Sequence, residues 1–262
     1  MSDLVPRRKR WWLYLAAILI ALFLILPVLV VLPMSFSGSR YLDFPPKIWS
    51  TRWYDRFFTD IAWYSSMIVS LKLAVCTVLV ATPIGAAAAK PIFKKIYTFL
   101  LLPLMIPHII LAIGIFYAYA RMGWLGSFGG ILLAHVMMAL PFVIVTVLSG
   151  LRSFDMTQEQ VARTLGCTRL GAFFRVTLPQ IQGSIVSGAI FAFVTSLDEV
   201  VVALFIASGE NTTVTKVMFS SLRDEIDPTI AAVSALLIVG SVVLATLAML
   251  SARLGTQQKP AP

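Results

Sequence analysis

Long runs of apolar residues, interrupted by polar segments, recur along the whole chain. Each run holds about 20 or more residues, the length that an α-helix needs to cross roughly 30 Å of hydrocarbon. The pattern predicts an all-α, polytopic membrane protein. Its six transmembrane helices are expected at residues 11–34, 61–89, 97–120, 129–150, 184–207 and 228–250.

Two features qualify this pattern. The first run follows a basic arm, residues 1–10, as a signal peptide would. It is longer than the ~7 to 15 apolar residues of a signal peptide, so we expect an uncleaved first span. Prolines also lie inside the runs, where each removes a helix hydrogen bond and favours a kink: Pro27, Pro83, Pro103, Pro107 and Pro141. Proline is also simply commoner in membrane helices than in soluble ones.

The composition excludes an ordinary soluble protein. Hydrophobic residues make up 59% of the chain and charged residues 13%, whereas soluble domains average about half and a quarter. The net charge of +9 is compatible with nucleic-acid binding or with membrane topology. Most of the basic residues share the side of the N-terminal arm, as the positive-inside rule requires. We therefore expect both termini, including the tail 251–262, in the cytoplasm, with lipid and no nucleic acid as a partner.

Cysteine and histidine give no sign of a metal or disulfide site. Cys76 lies in an apolar run and Cys167 in a polar loop, a spacing that fits neither a disulfide framework nor a metal site. His108 and His135 are isolated from carboxylates and thiols at ligand spacing. We expect free thiols, no metal and no catalytic residues.

One connection between predicted spans, residues 151–183, is much longer than the others and would face the cytoplasm. Asp155 can cap a helix in front of Glu159, and Val161 and Leu165 recur at helical spacing. Gly166 would allow that helix to end or turn. The pattern predicts a short amphipathic helix inside the long loop. An ordinary helix that lies on the membrane surface would show a similar pattern.

The stretch EQVARTLG, residues 159–166, is followed ten residues later by VTLP, residues 176–179. The two stretches resemble the EAA loop of binding-protein-dependent ABC importers in sequence and in position before the fifth span. In that family the loop forms a coupling helix that docks in a groove of the ATPase subunit. The chain departs from the family at Gln160, where a glutamate is usual, and at Val161, which replaces the first alanine. The resemblance implies coupling roles for Glu159, Gln160, Ala162, Arg163, Gly166, Leu178 and Pro179.

The resemblance extends beyond the loop. The segments HVMMALPFVIVT, residues 135–146, and SLDEVVV, residues 196–202, are similar to the second permease subunit of spermidine/putrescine-type importers. This implies the fold of a type I ABC importer permease, with residues 11–250 as a single permease domain in a bacterial inner membrane. It also implies three kinds of partner, which are a homologous second permease subunit, two ATPase subunits that use ATP and Mg²⁺, and a periplasmic or extracytoplasmic solute-binding protein. The chain has no phosphate-binding loop of the GxxxxGK[ST] type, so we expect it to bind no cofactor and to leave ATP hydrolysis to another chain.

Two acidic residues, Asp198 and Glu199, fall inside the predicted fifth span. An ionised side chain there is costly and by default marks a pathway, a partner or a water-filled cavity. Adjacent helical residues point about 100° apart, so at most one of the two carboxylates would face the pathway. The alternative is a static pairing with Lys72 or with the partner subunit. A cationic polyamine is the expected solute, and other amines, opine-like compounds and phosphonates remain open.

Two other classes of function compete with a permease subunit. A self-contained secondary transporter or channel would need no long cytoplasmic loop, and many such folds show internal repeats, which the sequence lacks. An intramembrane enzyme would need a nucleophile with a base, or paired carboxylates in one cavity. No serine motif accompanies either histidine. The permease subunit is therefore the preferred interpretation.

Overall fold

A computed structural model describes residues 11–89, 99–224 and 226–257, with side chains through residue 246. These residues are mostly helical, as the sequence predicts. The predicted arm 1–10 and the last five residues of the predicted tail lie outside the described residues. Eleven α-helices are labelled here in chain order: α1 Trp11–Met34, α2 Arg52–Thr59, α3 Ile61–Ala88, α4 His108–Met122, α5 Phe128–Ser153, α6 Met156–Thr164, α7 Arg169–Ala172, α8 Leu178–Leu197, α9 Val201–Ile206, α10 Val214–Asp224 and α11 Thr229–Gln257.

Among the described residues, five helical stretches are long and apolar enough to cross a bilayer: Trp11–Met34, Ile61–Ala88, Phe128–Ser153, Arg169–Leu197 and Thr229–Thr246. A shorter apolar helix, His108–Met122, lies where the third span was expected. The segments therefore follow the predicted order of six. The predicted fourth and sixth spans each form part of one helix, α5 and α11.

The third predicted span is wrong in its first part. A 3-10 turn, Leu102–Met105, contains Pro103, and Pro107 stands immediately before α4. Proline cannot donate the backbone hydrogen bond that would carry an α-helix through this stretch. The α-helix that was expected to run from 97 to 120 is therefore interrupted: Phe99 and Leu100 are helical, and the α-helix resumes only at His108. Residues 97 and 98 lie outside the described part of the chain.

The fifth predicted span is also divided. The helix begins earlier than expected, at Leu178, and ends at Leu197, and a second, short helix follows from Val201. Asp198 and Glu199 lie in the break between α8 and α9. The sequence had indicated one continuous helix through both residues, and this prediction is wrong.

The described residues fall into two compact units, one within Met1–Asp60 and Ser221–Gly240 and the other within Ile61–Ser220 and Ser241–Pro262. In the first unit, α1 has no buried residue, as expected for an apolar helix that is solvated by lipid. Arg56 forms an ion pair with Asp227, with 3.2 Å between Nη2 and Oδ2. Asp227 Oδ1 also accepts a 2.9 Å hydrogen bond from the backbone N–H of Thr229, at the start of α11.

In the second unit, helices α3, α5 and α8 pack around a core of small and branched side chains. A Cβ atom on Gly85 would lie 2.6 Å from Cγ1 of Val143, and one on Gly188 would lie 3.4 Å from the same atom. Glycine in α3 and in α8 therefore lets both helices approach Val143 of α5. Close approach at small residues is the usual way in which membrane helices associate. This packing holds the base of α8, where the long loop ends, against α5, where it begins.

Candidate functional site

The long loop, residues 151–183, forms the predicted amphipathic helix, here α6. Asp155 Oδ1 accepts a 2.9 Å hydrogen bond from the backbone N–H of Thr157. Hydrogen bonds from the Thr157 hydroxyl and backbone N–H lower the pKa of the exposed Asp155 carboxyl, because they stabilise its charged form. The N-terminal cap that the sequence indicated is therefore confirmed.

The helix ends just before Gly166, which turns the chain as predicted. Gly166 has φ +93°, a conformation that favours glycine over residues with a Cβ. Its N–H donates to Arg163 O at 3.1 Å, and the N–H of Cys167 donates to Ala162 O at 3.1 Å. This pair of bonds is a Schellman motif, which satisfies the last carbonyls of α6. The chain then turns into α7, whose N-terminus is capped by the hydroxyl of Thr168.

Glu159, the first residue of the EAA-like stretch, is hydrogen-bonded to Thr177, near the end of that stretch. Thr177 Oγ1 donates a 2.6 Å hydrogen bond to Glu159 Oε2, and Gln180 Nε2 donates to Gln158 Oε1. Thr177 ends a π-helical turn, Phe173–Thr177, that runs directly into α8. Two polar links therefore connect α6 to the base of the fifth span.

The remaining loop residues occupy distinct places. Leu178 begins α8, and Pro179 lies in its first turn, where the missing proline N–H has no helical partner to lose. Ala162 is half-buried, whereas Gln160 and Arg163 are exposed and line a surface cleft beside Cys167.

A cavity of about 140 Å³ lies between the loop and the end of α5. Its wall includes the carboxylate-bearing Glu159 and two arginines, Arg152 and Arg169, next to the apolar side chains of Leu148 and Met156. Glu159 therefore lies in a partly enclosed basic environment and not on an open helix face.

The two acidic residues at the α8–α9 break have different environments. Asp198 is exposed, and Glu199 is only 8% exposed. Glu199 Oε1 accepts a 2.8 Å hydrogen bond from the backbone N–H of Val202, so this carboxylate caps the N-terminus of α9. Neither residue forms an ion pair with Lys72 within the described ranges; Lys72 is exposed. Of the two carboxylates, Asp198 is thus the exposed one and Glu199 the buried one.

The other end of α9 is held by Lys216, which sequence reasoning missed. Its Nζ donates to Leu204 O at 3.1 Å and to Ala207 O at 2.6 Å. Burial lowers the pKa of the Lys216 amine. The hydroxyl of Thr215 donates to Glu199 O at 2.8 Å. Helix α9 is therefore fixed at both ends by side chains, and no local pattern around Lys216 would have indicated it.

Three buried polar side chains join the core helices α3, α5 and α8. His135 Nδ1 lies 2.8 Å from Ser196 Oγ, and Ser196 Oγ lies 3.3 Å from Thr77 Oγ1. Sequence reasoning treated His135 as an isolated histidine, because Thr77 and Ser196 are distant in the chain. No group of three possible metal ligands occurs in the part of the chain that the structure describes.

Apolar helices of membrane-spanning length, together with a helical loop that is bound to the base of one span, define a polytopic permease subunit. Residues 80–256 match the family described as "Binding-protein-dependent transport system inner membrane component". This chain belongs to that family, and it is a multi-pass inner membrane protein and the permease subunit of an ABC importer.

Several relatives are similar over most of the chain. The putrescine transport system permease protein PotI of Escherichia coli K12 is 34% identical over 252 residues, which cover 91% of this chain and 89% of PotI. The spermidine/putrescine transport system permease protein PotC of Haemophilus influenzae is 28% identical over 238 residues, which cover 88% and 92%. These relatives are permease subunits and not enzymes.

The fold is also found in a solved transporter. The chain superimposes with a TM-score of 0.71 and 15% identity on a chain of a bacterial ABC transporter that imports the acidic polysaccharide alginate, over 97% of this chain and 98% of the other. At this identity the likeness shows the fold alone. The predicted type I ABC importer permease fold is thereby confirmed.

Proposed function

We propose that this chain forms half of the translocation pathway of an ATP-driven importer for a polyamine or a closely related small cation. The link between Glu159 and Thr177 carries the proposal, because it gives the loop a direct connection to a membrane-spanning helix. The names of the relatives PotI and PotC support a polyamine as the solute. In this arrangement the loop and both termini face the cytoplasm.

The exposed face of α6 supports docking of an ATPase subunit. Val161 and Leu165 are 52% and 81% exposed, although both side chains are apolar. Apolar side chains that are exposed to solvent next to one another are typical of a surface that a partner covers. ATP and Mg²⁺ are bound by two such ATPase subunits, and this chain supplies the surface that receives their movement.

Two further partners complete the importer. A homologous second permease chain supplies the other half of the pathway, and a periplasmic solute-binding protein delivers the solute. The structure of an alginate ABC transporter in complex with an alginate-bound periplasmic protein, which shares the fold at a TM-score of 0.70, supports the binding protein as a partner.

Docking is tested by co-purification of the ATPase subunits with variants of α6. We expect Val161→Glu and Leu165→Glu to release the ATPase, because each would place a charge in an apolar interface. The matched control is Gln160→Glu, which adds the same charge on the same helix at a position where the family carries glutamate. Full ATPase retention in the first two variants, or equal loss in all three, would contradict the docking surface.

Asp198 is proposed as the residue that meets the cation, and Glu199 as the residue that holds α9. Replacement of the exposed carboxylate by Asp198→Asn removes a charge-assisted hydrogen bond to an ammonium group, and we expect uptake to fall roughly tenfold. Glu199→Gln keeps an acceptor for the Val202 N–H, and we expect a smaller loss. Unchanged uptake in both variants would remove both residues from the pathway.

A further inference from the structure

The connection between the first two apolar spans contains a folded loop, residues 36–50, here called the α1–α2 loop. The backbone N–H of Gly38 donates a 2.8 Å hydrogen bond to Ile48 O. An antiparallel bridge joins Ser37 to Trp49. These contacts close the loop at its base, so its residues have fixed places.

The α1–α2 loop is also attached to both of its neighbouring helices. The Ser35 hydroxyl, directly after α1, lies 2.7 Å from the Tyr54 hydroxyl of α2. The rings of Phe36 and Tyr54 are in contact, with 5.2 Å between their centroids. Arg52 Nη1 donates a 3.1 Å hydrogen bond to Gly38 O. The loop is therefore held at the end of α1.

Although its base is fixed, the α1–α2 loop exposes large apolar side chains. Tyr41 and Trp49 are 71% and 66% exposed, and Phe44 and Ile48 are exposed as well. A surface in water rarely carries so many large apolar side chains within one short segment, because each of them loses the free energy of burial. These four side chains therefore require a cover.

The polar residues of the same loop indicate which cover fits. Arg40 and Lys47 are both exposed, and Asp43 is the one acidic residue between positions 36 and 50. Tyrosine and tryptophan are enriched where a bilayer meets water. Arginine and lysine extend apolar stems along a lipid surface and place their charges at anionic headgroups. The side chains of the loop match a lipid interface.

The length of α1 places the loop at that depth. Trp11 and Trp12, both exposed at the start of the helix, are the residue type that marks one interface. The 24 residues of α1 span about 36 Å, compared with roughly 30 Å of hydrocarbon. The helix ends at Met34, so the α1–α2 loop begins where the chain reaches the opposite interface.

We propose that the α1–α2 loop is a membrane anchor that lies in the headgroup region of the leaflet at the C-terminal end of α1. Its exposed aromatic side chains lie between the lipid headgroups, and its two basic side chains contact lipid phosphates. Helix α1 has no buried side chain of its own, so the anchor fixes the depth of a span that packing does not hold.

A solute-binding protein is the other partner that could cover the loop. Such a protein docks and leaves in each transport cycle, and the four apolar side chains would return to water every time it left. Lipid covers them continuously. The bilayer is therefore the favoured occupant, and the binding protein is an alternative outcome of the test.

The test measures the depth of single nitroxide spin labels by electron paramagnetic resonance. The labels are attached at Tyr41→Cys, Phe44→Cys and Trp49→Cys, one at a time, in the complete transporter with its other cysteines replaced by serine. The transporter is reconstituted in vesicles of phosphatidylethanolamine and phosphatidylglycerol. Collisions with oxygen, which concentrates in lipid, are compared with collisions with a neutral nickel chelate, which stays in water.

Two matched sites calibrate the measurement. Asp55→Cys reports an exposed polar position in α2, and Phe23→Cys reports an exposed position within α1. ATP hydrolysis stimulated by the binding protein shows that each labelled transporter is assembled. The depth measurement itself requires no transport, so its result is independent of the proposed solute.

We expect the ratio of oxygen to nickel collisions at the three loop sites to be several-fold above that of Asp55→Cys and below that of Phe23→Cys. A ratio equal to that of Asp55→Cys would place the loop in water and overturn the anchor. If, in addition, the binding protein suppressed both kinds of collision there, the loop would be a docking site for that protein. A ratio equal to that of Phe23→Cys would contradict a headgroup position.

Charge reversal tests the contact with phosphates separately. Arg40→Glu combined with Lys47→Glu should lower the ratio at Trp49→Cys, because the loop would be repelled from the anionic phosphatidylglycerol. The same pair of changes to glutamine should lower it less. An unchanged ratio in the glutamate variant would overturn the role of the two basic residues.

Discussion

Thr177 Oγ1 donates a 2.6 Å hydrogen bond to Glu159 Oε2, although 18 residues separate them in the chain. The first residue belongs to the base of α8, and the second to the helix that would contact the ATPase. Because Thr177 is 1% exposed, water does not compete effectively for this bond. Together with the bond between Gln180 and Gln158, this short contact links α6 to a membrane-spanning helix.

Removal of this contact is expected to weaken coupling. Thr177→Val keeps the shape of the side chain and removes the donor to Glu159. We expect lower uptake per ATP hydrolysed, and a loss of about 1.5 kcal/mol or more of stability, as for other hydrogen bonds to charged groups. The measurements are transport and ATPase activity in proteoliposomes, and thermal denaturation in detergent.

Thr164→Val is the matched control for that variant. The Thr164 hydroxyl donates only to the carbonyl of Val161 in its own helix, at an exposed position. We expect it to leave the ratio of uptake to ATP hydrolysis unchanged. If Thr177→Val behaved like this control, the link would have no part in coupling.

Gly166 is expected to tolerate no side chain without cost. Its φ of +93° is unfavourable for any residue with a Cβ, by about 1–2 kcal/mol. Gly166→Ala should therefore destabilise the loop, and Gly166→Pro, whose φ is fixed near −65°, should uncouple ATP hydrolysis from uptake while the chain still inserts.

Gly183→Ala serves for comparison. Gly183 lies within α8, and a Cβ atom added to it would have no neighbouring atom within 4 Å. Alanine is the better helix former, so this variant should be as stable as the native protein or more so. Normal coupling in Gly166→Pro, measured as uptake per ATP, would show that the turn after α6 is not needed for coupling.

The half-buried amine of Lys216 is expected to give the protein a specific pH dependence. Its pKa in the folded protein is lowered from 10.5 by burial, so between the two pKa values the unfolded chain binds more protons than the folded chain. Stability must then rise with pH through that window. The difference in melting temperature between the native protein and Lys216→Met should therefore shift in favour of the native protein as the pH is raised from neutral towards 10.5. A difference that is constant with pH would contradict the shift.

The ion pair of Arg56 and Asp227 is expected to contribute less than the cap that Asp227 provides. The Arg56 side chain is 50% exposed, and pairs of this kind contribute about 0–1 kcal/mol. Asp227 also accepts from the Thr229 N–H, and loss of a helix cap costs about 1 kcal/mol. Asp227→Ala should therefore destabilise the protein more than Arg56→Ala in thermal denaturation. Equal effects would show that the ion pair, and not the cap, is the main contribution of Asp227.

The sequence was most informative where one local rule decides the structure. Asp155 is a cap because a carboxylate before a helix finds a free N–H two residues later, and Gly166 ends α6 because it can adopt a positive φ. The lengths of the apolar runs predicted the order of the membrane-spanning segments in the same way, because the thickness of the bilayer fixes the length that a span needs.

Breaks within apolar stretches were harder to predict. Five prolines were noted as kink sites, but only the stretch with Pro103 and Pro107 leaves the α-helical path, between Leu100 and His108. The others, Pro27, Pro83 and Pro141, lie inside continuous helices. Hydropathy alone could not show that Leu197 ends one helix and Val201 begins another, because both sides of the break are equally apolar. Glu199 can cap a helix only because α9 begins after this break. The contacts of His135, Thr77 and Lys216 could not be predicted from the sequence for a different reason. They depend on which helices pack together.

The most direct test of the account is the uptake of putrescine into proteoliposomes that contain this chain with its second permease subunit, the ATPase subunits and the binding protein. We predict uptake that requires ATP on the side of the long loop and disappears when the ATPase subunits are omitted. Putrescine uptake by this chain without an ATPase, driven by an ion gradient, would contradict the account and favour a self-contained carrier.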